Sequence, residues 1–381
     1  LYYVQMDPAT MIGYTPGADP ELQMTRYDSE ALLRDKKADR QALMSAGEIA
    51  VEPDKQGLTP FTIEARSTSA DFFAMFDVPL KYGQAWSGAD DAARARVAVL
   101  AKDLNDKLFG GADSVGKTVR LNQTAFRVIG VLDAWQPSPR FYDLTNGMYR
   151  DGEQVFLPFS TSRALRLGNN GSMNCWDGDN DDPEGRSGVS APCAWIQYWV
   201  QLDSADKVAA YRRYLVNYSD QQRSAGRFQR PTNTRLSDVM TWLDFNKVVP
   251  GDVHLQTWLA FGFLLVCLLN TVGLLLAKFL RRSGEIGVRR ALGASRRAIF
   301  AQCLIEAGTI GLAGGVLGLG LAVLGLWAVR QQPADYAALA RLDPSMLLAT
   351  FALALATSLL AGLLPAWRAM QVTPAMQLKS Q

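Results

Sequence analysis

The sequence predicts an α+β extracytoplasmic domain followed by an α-helical transmembrane bundle. Three observations predict it: residues 1 to about 250 are polar and loop-rich, nearly all long apolar runs lie after Gly251, and a strongly basic segment separates the first two of those runs. A hydrophobic content of 48% and a net charge of +2 would suit an ordinary soluble protein, because the averages conceal this division. The positive charge is concentrated in one segment, so it gives no indication of nucleic-acid binding.

Three stretches in the second part of the chain are long enough to cross a bilayer, which requires about 20 predominantly apolar residues. They cover residues 257–277, 301–329 and 346–364, and none has Lys or Arg in its interior. Glu306 lies one turn into the second stretch, close enough to its end to reach interfacial water. Buried helices of a soluble domain are the weaker alternative, because the three runs follow one another so closely.

The distribution of Lys and Arg among the short loops predicts the orientation, because cytoplasmic loops carry an excess of both. The loop between the first two stretches is basic with one acid, Glu285, whereas the next loop balances its charges with Asp335 and Asp343. We therefore expect the basic loop and the basic tail in the cytoplasm, and residues 1–256 outside. The basic residues of the first loop are Lys278, Arg281, Arg282, Arg289, Arg290, Arg296 and Arg297.

An external N-terminal domain must be exported, yet the chain begins at Leu1 without an initiator Met or the regions of a signal peptide. The sequence suggests that a first membrane helix has been cut away, with residues 1–4 at its outer end or just beyond it. The intact protein would then have four membrane helices, of which three are present. Residues 1–250 would form the external domain and stalk, and residues 251–381 the membrane domain with a cytoplasmic loop at 278–298.

Apolar patterning in the external domain predicts a mixture of strands and short helices. Strands are predicted at residues 61–67, 97–101, 118–122, 126–132, 154–159 and 194–202, and helices at 29–40, 70–76, 102–109 and 204–218. Gly and Asp residues between 168 and 188 mark a long surface insertion. The segment 236–250 is expected to form a helix or stalk leading to the membrane.

Two of the cysteines, Cys175 and Cys193, lie in the predicted external domain, where an oxidising compartment allows disulfides to persist. They bracket a loop rich in Gly, Asn and Asp that has little else to hold it. A bridge closing this loop would contribute about 3 kcal/mol by constraining the unfolded chain. We therefore expect a disulfide here, whereas Cys267 and Cys303 are expected to act as apolar residues in or beside membrane segments.

Two motifs suggest ligand sites at first sight. Residues 111–118 fit the Walker A pattern, but a phosphate cradle needs a strand before the glycines and a helix after them, and here the predicted order is reversed. Residues 177–184 begin like a calcium loop, yet Asp182 stands where Gly is needed and Gly188 where a bidentate Glu is needed. A loop joining a helix to a strand and a solvated acidic loop are the better interpretations. The single histidine, His254, argues against histidine-based chemistry.

The basic loop carries the most specific motif, Glu-Ile-Gly-Val-Arg-Arg-Ala-Leu-Gly-Ala. It resembles the cytoplasmic loop of FtsX-like ABC transporter permeases of the MacB type, whose pattern is Glu-x-Gly-x-Arg-x-Ala-x-Gly-Ala. The resemblance implies that this segment is a coupling helix that docks in a groove of a cytoplasmic ATPase. The matching positions are Glu285, Gly287, Arg289, Ala291, Gly293 and Ala294.

The residues themselves agree with such a contact. Glu285 and Arg289 are spaced as a favourable i, i+4 pair, and Gly287, Ala291 and Ala294 keep one side small, so that another protein could approach closely. The alternative is that the arginines only set the topology and bind anionic lipid headgroups. Residues 70–79, 108–122 and 126–132 also resemble the periplasmic core domain of the same family. Residues 140–235 do not match it, and there substrate or partner choice would differ.

The second membrane stretch contains small residues spaced four apart, which allow helices to pack closely in lipid. We expect these glycines to form a face between helices or between subunits, with ordinary packing inside the bundle as an equal alternative. No charge cluster lies within the membrane stretches, which disfavours a secondary transporter. The glycines are Gly311, Gly314, Gly315 and Gly318.

The resemblance implies a permease subunit of an ABC-type complex in the bacterial inner membrane. In it, a separate ATPase would drive movement of the periplasmic domain for export or efflux. The resemblance further implies a dimer with an identical or paralogous permease, and a periplasmic adaptor as a further partner. The chain itself is expected to be non-catalytic and without cofactors, with ATP and magnesium held by the ATPase. The alternatives are a membrane-anchored regulator of an envelope hydrolase or sensor, and a lipoprotein-extraction permease.

Overall fold

The structure, a computed structural model, describes residues 1–53, 57–176, 182–248, 251–331 and 343–371. The chain divides into two compact units, Leu1–Val248 and Val249–Gln381. In the described residues, the first unit combines strands with short helices and the second consists of helices, as the α+β domain and helical bundle of the prediction require.

The first unit is built on a mixed sheet. Its strands are β1 (Tyr2–Met6), β2 (Met24–Thr25), β3 (Arg40–Glu52), β4 (Phe61–Thr68), β5 (Leu80–Gly83), β6 (Val97–Leu100), β7 (Thr118–Leu121), β8 (Thr124–Leu132), β9 (Val155–Pro158), β10 (Asn174–Cys175), β11 (Cys193–Gln201) and β12 (Thr234–Asp238). Its α-helices are α1 (Arg26–Asp35), α2 (Phe72–Met75), α3 (Gly88–Ala92), α4 (Lys102–Phe109), α5 (Phe159–Ala164), α6 (Ala205–Ser224) and α7 (Val239–Phe245).

Neighbouring strands of the sheet follow the order β12-β1-β11-β3-β4-β9-β6-β8-β5. Pairing is parallel between β4 and β9 and between β6 and β8, and antiparallel between the other neighbours in this order. The predicted hairpin is present as β7 and β8, with Thr118 opposite Arg127 and Leu121 opposite Thr124. The long strand β3 contacts β11, β4 and β7, so it joins the two halves of the sheet.

The predicted helix at residues 29–40 is displaced in the structure. The helix α1 begins after Thr25, whose side chain accepts a hydrogen bond from the Asp28 backbone N–H, and it ends at Lys36, which has φ 48° and ψ 50°. A residue in the left-handed region cannot continue an α-helix, so the chain leaves α1 there and enters β3 at Arg40. The long strand β3 was not predicted.

The first residues form the buried strand β1 and are therefore not helical. Tyr2–Met6 pair with β11 on one side and β12 on the other. The Tyr3 ring stacks on Trp242 with centroids 3.8 Å apart, and its hydroxyl donates to the Leu22 carbonyl at 2.7 Å. The segment expected as a helix or stalk begins with the end of β12, which pairs with β1, and continues as the short helix α7.

A fully buried guanidinium lies in the middle of the first unit. Arg66 of β4 has no exposed surface, and its Nη1 atom lies 2.7 Å from Asp143 Oδ2. Its Nε donates to Glu153 Oε1 at 3.1 Å, and its Nη2 also pairs with Glu153. Arg140 Nη1 and the Tyr142 hydroxyl donate to the same carboxylate at 3.0 and 2.7 Å. The connection between β8 and β9 is thereby anchored to β4.

Charge interactions decide the ionisation of the two buried acids. Burial alone would raise the pKa of Asp143 and Glu153, but the charge of Arg66 and the hydrogen bonds around it outweigh burial and lower the pKa of both carboxyls. Both acids are therefore ionised in the folded protein at neutral pH.

The second unit consists of the helices α8 (Gly251–Arg281), α9 (Ser283–Ala291), α10 (Arg296–Arg330) and α11 (Pro344–Met370) in the described residues. Three of them contain segments long and apolar enough to cross a membrane: His254–Arg281, Arg296–Ala328 and Pro344–Met370. These segments begin earlier than the predicted stretches, and two of them also end later, because polar and charged residues extend the helices beyond the apolar part.

The packing of α10 against α11 depends on small residues. A Cβ added at Gly311 would lie 2.3 Å from Ser358 Oγ, and one added at Gly315 would lie 3.1 Å from the Phe351 ring. On the opposite helix, a Cβ added at Gly362 would lie 2.6 Å from Ala307 Cβ. Gly311 and Gly315 therefore pack within the bundle.

The other two predicted glycines behave differently. A Cβ added at Gly314 or Gly318 would meet no heavy atom of the described residues within 4 Å. All four glycines line an apolar groove of about 870 Å³ between α8, α10 and α11. Gly311 and Gly315 thus contact α11 closely, whereas Gly314 and Gly318 have open space beside them among the described residues.

The buried network predicts a pH-dependent loss of stability for Glu153→Gln. The variant removes a charge opposite Arg66, and breaking one partner of a buried pair costs about 3–5 kcal/mol. Because the pKa of Glu153 is lowered on folding, its contribution is present at neutral pH and disappears as the pH falls below the usual carboxyl range. Thermal unfolding of the detergent-solubilised chain, followed by tryptophan fluorescence, should show the variant destabilised at pH 7 and approaching the parent in acid.

The matched control is Asp19→Asn, which removes an acid paired with Arg235 at an exposed position. Exposed pairs contribute about 0–1 kcal/mol, so this variant should unfold close to the parent temperature. Equal effects of the two substitutions at pH 7 would contradict a special role for the buried network.

The different surroundings of Gly311 and Gly314 predict different effects of alanine substitutions on the stability of the bundle. Gly311→Ala forces α10 and α11 apart and should destabilise the bundle by about 1–3 kcal/mol. Gly314→Ala meets open space and should be neutral or stabilising, since alanine favours a helix by about 1 kcal/mol. Thermal denaturation of both variants in the same detergent measures the difference, and a Gly314→Ala variant as unstable as Gly311→Ala would contradict this packing.

Candidate functional site

The short helix α9 contains the central part of the predicted coupling segment. Ile286 and Gly287 are buried, and Ile286 packs into a cluster with Leu275, Phe279 and Ile299 of the flanking helices. Arg290 Nη1 donates to the Met370 carbonyl at 3.3 Å, which links α9 to the end of α11. The helix is therefore held against the bundle along one face.

The turn after α9 explains one glycine of the motif. Gly293 has φ +101°, a conformation that residues with a Cβ rarely adopt. Its N–H donates to the Arg290 carbonyl at 3.1 Å, and the Ala294 N–H donates to the Arg289 carbonyl at 3.0 Å. These two bonds end the helix and allow α10 to begin at Arg296.

The face of α9 directed away from the bundle is exposed. Glu285, Val288, Arg289 and Leu292 follow one another at helical spacing along this face, with Val288 60% and Leu292 83% exposed. Val288 and Leu292 were not singled out in the sequence, although their spacing of four residues could have indicated an apolar pair. An exposed apolar pair between charged residues is suited to contact with another protein.

The six predicted coupling residues thus have different environments. Glu285, Arg289, Ala291 and Gly293 are exposed, Ala294 is half-buried, and Gly287 is buried. The predicted i, i+4 pair is absent: no ion pair joins Glu285 and Arg289, and Arg289 Nη1 instead donates to Gln302 of α10 at 3.0 Å. Gly287 faces the bundle, so it cannot supply the small outward surface expected of it.

Ionic contacts join the helices on either side of α9. Lys278 near the end of α8 pairs with Glu306 of α10, and Arg282 Nη1 lies 3.5 Å from the same carboxylate. Glu306 therefore has two cationic neighbours, which stabilise a charge close to the apolar part of α10. This pairing fixes the ends of both helices around the coupling segment.

The predicted disulfide is present. Cys175 of β10 lies opposite Cys193 of β11, and the two are bridged. Asp182 accepts hydrogen bonds from the backbone N–H groups of Glu184 and Ser190, at 2.8 and 2.9 Å, which holds the second part of the enclosed loop. Most of the calcium-like sequence, residues 177–181, lies outside the described residues.

The Walker-like segment joins a helix to a strand, as predicted. The helix α4 ends at Phe109 and β7 begins at Thr118, the reverse of the order in a phosphate cradle. Ser114 is fully buried and donates to Asn105 Oδ1 at 2.6 Å, and the Gly116 N–H donates to the Val128 carbonyl at 2.8 Å. The Ser114 hydroxyl and the Gly116 N–H are thus used in hydrogen bonds within the external unit.

Two family models match the chain. One, described as a MacB-like periplasmic core domain, matches residues 1–218, and the other, described as an FtsX-like permease C-terminal, matches residues 258–374. Among solved structures, the periplasmic region of MacB from Actinobacillus actinomycetemcomitans is similar, with a TM-score of 0.40 and 15% identity over 66% of this chain and 94% of that one.

Curated relatives match most of this chain at low identity. The macrolide export ATP-binding/permease protein MacB of Azoarcus sp. (strain BH72) is 26% identical over 83% of this chain and 42% of its own length. The pyoverdine export ATP-binding/permease protein PvdT of Pseudomonas entomophila is 26% identical over 81% and 42%. The chain thus spans less than half the length of these relatives.

The two family models together span the external unit and the membrane helices, and the second includes the whole of α9. They agree with the division into a strand-rich unit and a helical unit. The first model extends to residue 218, so the expectation that residues 140–235 do not match the periplasmic core domain is wrong for residues 140–218. The chain belongs to the MacB-like family of FtsX-like ABC transporter permeases.

Proposed function

We propose that the chain is the permease subunit of an ABC-type export complex, in which the exposed face of α9 docks on a separate cytoplasmic ATPase. ATP-driven movement would pass from α9 through the membrane helices to the external unit. The names of the curated relatives, which specify export and ATP binding, support an ATP-dependent export function. The chain itself would be non-catalytic, with ATP and magnesium bound by its partner.

The exposed pair Val288 and Leu292 is the observation that carries the proposal. A side chain of this size contributes about 1.5–3 kcal/mol when it moves from water to a buried site. On the opposite face of the helix, Ile286 is buried in the bundle, so a force applied at the exposed face would be transmitted to α8, α10 and α11. Such a helix combines a docking surface with a firm attachment.

The charge distribution supports the orientation. The segment from α8 to α10 is strongly basic, and basic loops stay in the cytoplasm. In the bacterial inner membrane, α9 would then face the cytoplasmic ATPase and the external unit would face the periplasm. We further propose that the complex contains a second permease, identical or paralogous, and a periplasmic adaptor.

The docking surface predicts that charge at Val288 and Leu292 disrupts the complex. The double variant Val288→Asp, Leu292→Asp should lower the amount of ATPase that co-purifies in mild detergent by at least about tenfold, since each tenfold change corresponds to about 1.4 kcal/mol. Export activity should fall in parallel. The measurement compares co-purified ATPase, by quantitative mass spectrometry, with the amount of permease in the membrane.

The control places the same residue at a site of similar exposure in the external unit. Ile12 is 81% exposed, and Ile12→Asp should leave both the association and the activity unchanged. Full co-purification of ATPase with the double variant would refute docking through this face. Loss of the variant from the membrane would be detected as a lower permease signal and corrected in the ratio.

A further inference from the structure

A cavity of about 450 Å³ lies in the first unit between α1, α3 and α5. Small-molecule sites in proteins commonly have about 300–1,000 Å³ and combine an apolar lining with a few polar groups. The apolar lining includes Leu33, Leu43 and Phe159. The Walker-like loop, the disulfide and α9 do not contribute to it, so this cavity is separate from the features described above.

A buried arginine lines the cavity. Arg163 of α5 is 5% exposed, and its Nη2 donates to the Leu167 carbonyl at 2.6 Å while its Nε lies 3.4 Å from Ser162 Oγ. Among the described residues, no carboxylate lies within ion-pair distance of it. The guanidinium lies over the rings of Phe159 and Trp195, with centroids at 5.8 and 5.3 Å.

Burial and a neighbouring charge oppose the ionisation of this arginine. Burial lowers the pKa of Arg163, and the positive charge of Arg26 lowers it further. The carboxylates of Glu184 and Glu30 act in the opposite direction, and the resulting pKa is about 10. Arg163 is thus a cation at neutral pH, and Glu184 and Glu30 act on it from beyond ion-pair distance. Leaving a buried charge unpaired is costly, so an anion entering the cavity would gain a strong and directional partner.

The carboxylates around the cavity have other partners. Glu30 and Glu184 each lie 2.7 Å from Arg26, and Asp91 Oδ2 accepts the Ala70 backbone N–H at 2.8 Å. Burial raises the pKa of Asp91 to about 6, which reduces its mean negative charge in mildly acidic conditions.

Further cations surround the cavity. Arg34, Lys36 and Arg94 line it and are exposed, and none of them has an ion-pair partner among the described residues. In total, five cationic side chains and three carboxylates line the cavity. The balance favours an anion over a cation or a neutral compound.

We propose that this cavity binds a small organic carboxylate with an apolar body, whose carboxylate pairs with Arg163. The apolar body would lie against Leu33, Leu43 and Phe159, and the exposed cations would attract the anion toward the opening. The inference is independent of the proposed export function, because binding can be measured on the chain without an ATPase. Only part of the lining, including Phe159, Arg163 and Glu184, lies in residues 140–235.

The test uses the full chain in nanodiscs of neutral phosphatidylcholine. The probes are 4-phenylbutyrate and its uncharged amide, 4-phenylbutanamide, and binding is followed by saturation-transfer NMR and isothermal titration calorimetry at pH 7.5. We expect saturable binding of the acid and at least about tenfold weaker binding of the amide, as loss of one strong charged hydrogen bond implies. Equal binding of the two probes, or no saturable binding of the acid, would overturn the proposal.

Matched variants locate the binding. Arg163→Met should weaken binding of the acid at least about tenfold, whereas Arg213→Met, which removes an exposed cation from α6, should leave it unchanged. The folding of each variant is checked by its thermal unfolding. If Arg163→Met does not fold, binding of 4-phenylbutyrate to the double variant Arg34→Ser, Arg94→Ser tests the proposal instead. Binding weakened about threefold or more supports the site, and unchanged binding overturns the proposal.

Discussion

The ion network of Arg66 is the interaction on which the external unit depends most. A guanidinium with no exposed surface occupies β4, a strand in the middle of the sheet, and it can be tolerated there only with both Asp143 and Glu153 beside it. Both acids belong to the connection between β8 and β9. The charge of one strand residue therefore fixes the path of a long loop, and Gln197 of β11 extends the network by donating to Asp143 at 3.1 Å.

The helical unit is held by a different constraint. In lipid, the hydrophobic effect does not favour contact between apolar side chains. Helices are therefore stabilised mainly by van der Waals packing, which is best where their backbones approach closely. Gly311, Gly315 and Gly362 allow this approach between α10 and α11, and the Ser358 hydroxyl donates to the Ala307 carbonyl at 2.6 Å across the contact. The bundle in turn holds α9, since Ile286 is buried among residues from three other helices.

Prediction from the sequence succeeded where a local pattern decides the structure and failed where distant residues do. The helix α4 was predicted with its observed bounds, because the spacing of its apolar residues is a local property. The bounds of the hairpin strands β7 and β8 were predicted nearly correctly, because the alternation of apolar and polar residues is also local. The strands β1, β3 and β12 were missed, because each is stabilised by neighbours far along the chain. The candidate site shows the same dependence on distant residues. The coupling motif was found in the sequence, but the burial of Gly287 and the absence of a Glu285–Arg289 pair were not predicted, because both depend on how α9 packs against the other helices.

By itself, the sequence determined the two-part architecture, the three membrane-compatible helices and the basic segment that contains α9. Each follows from residue composition over a short window, to which hydration and the bilayer respond directly. Only the tertiary structure decided which groups are left without partners. It shows which of the four glycines contact α11 closely, and it places Val288 and Leu292 on the exposed face of α9. It also leaves the buried charge of Arg163 without a carboxylate at ion-pair distance among the described residues. These outcomes depend on contacts between residues distant in sequence, which no local pattern specifies.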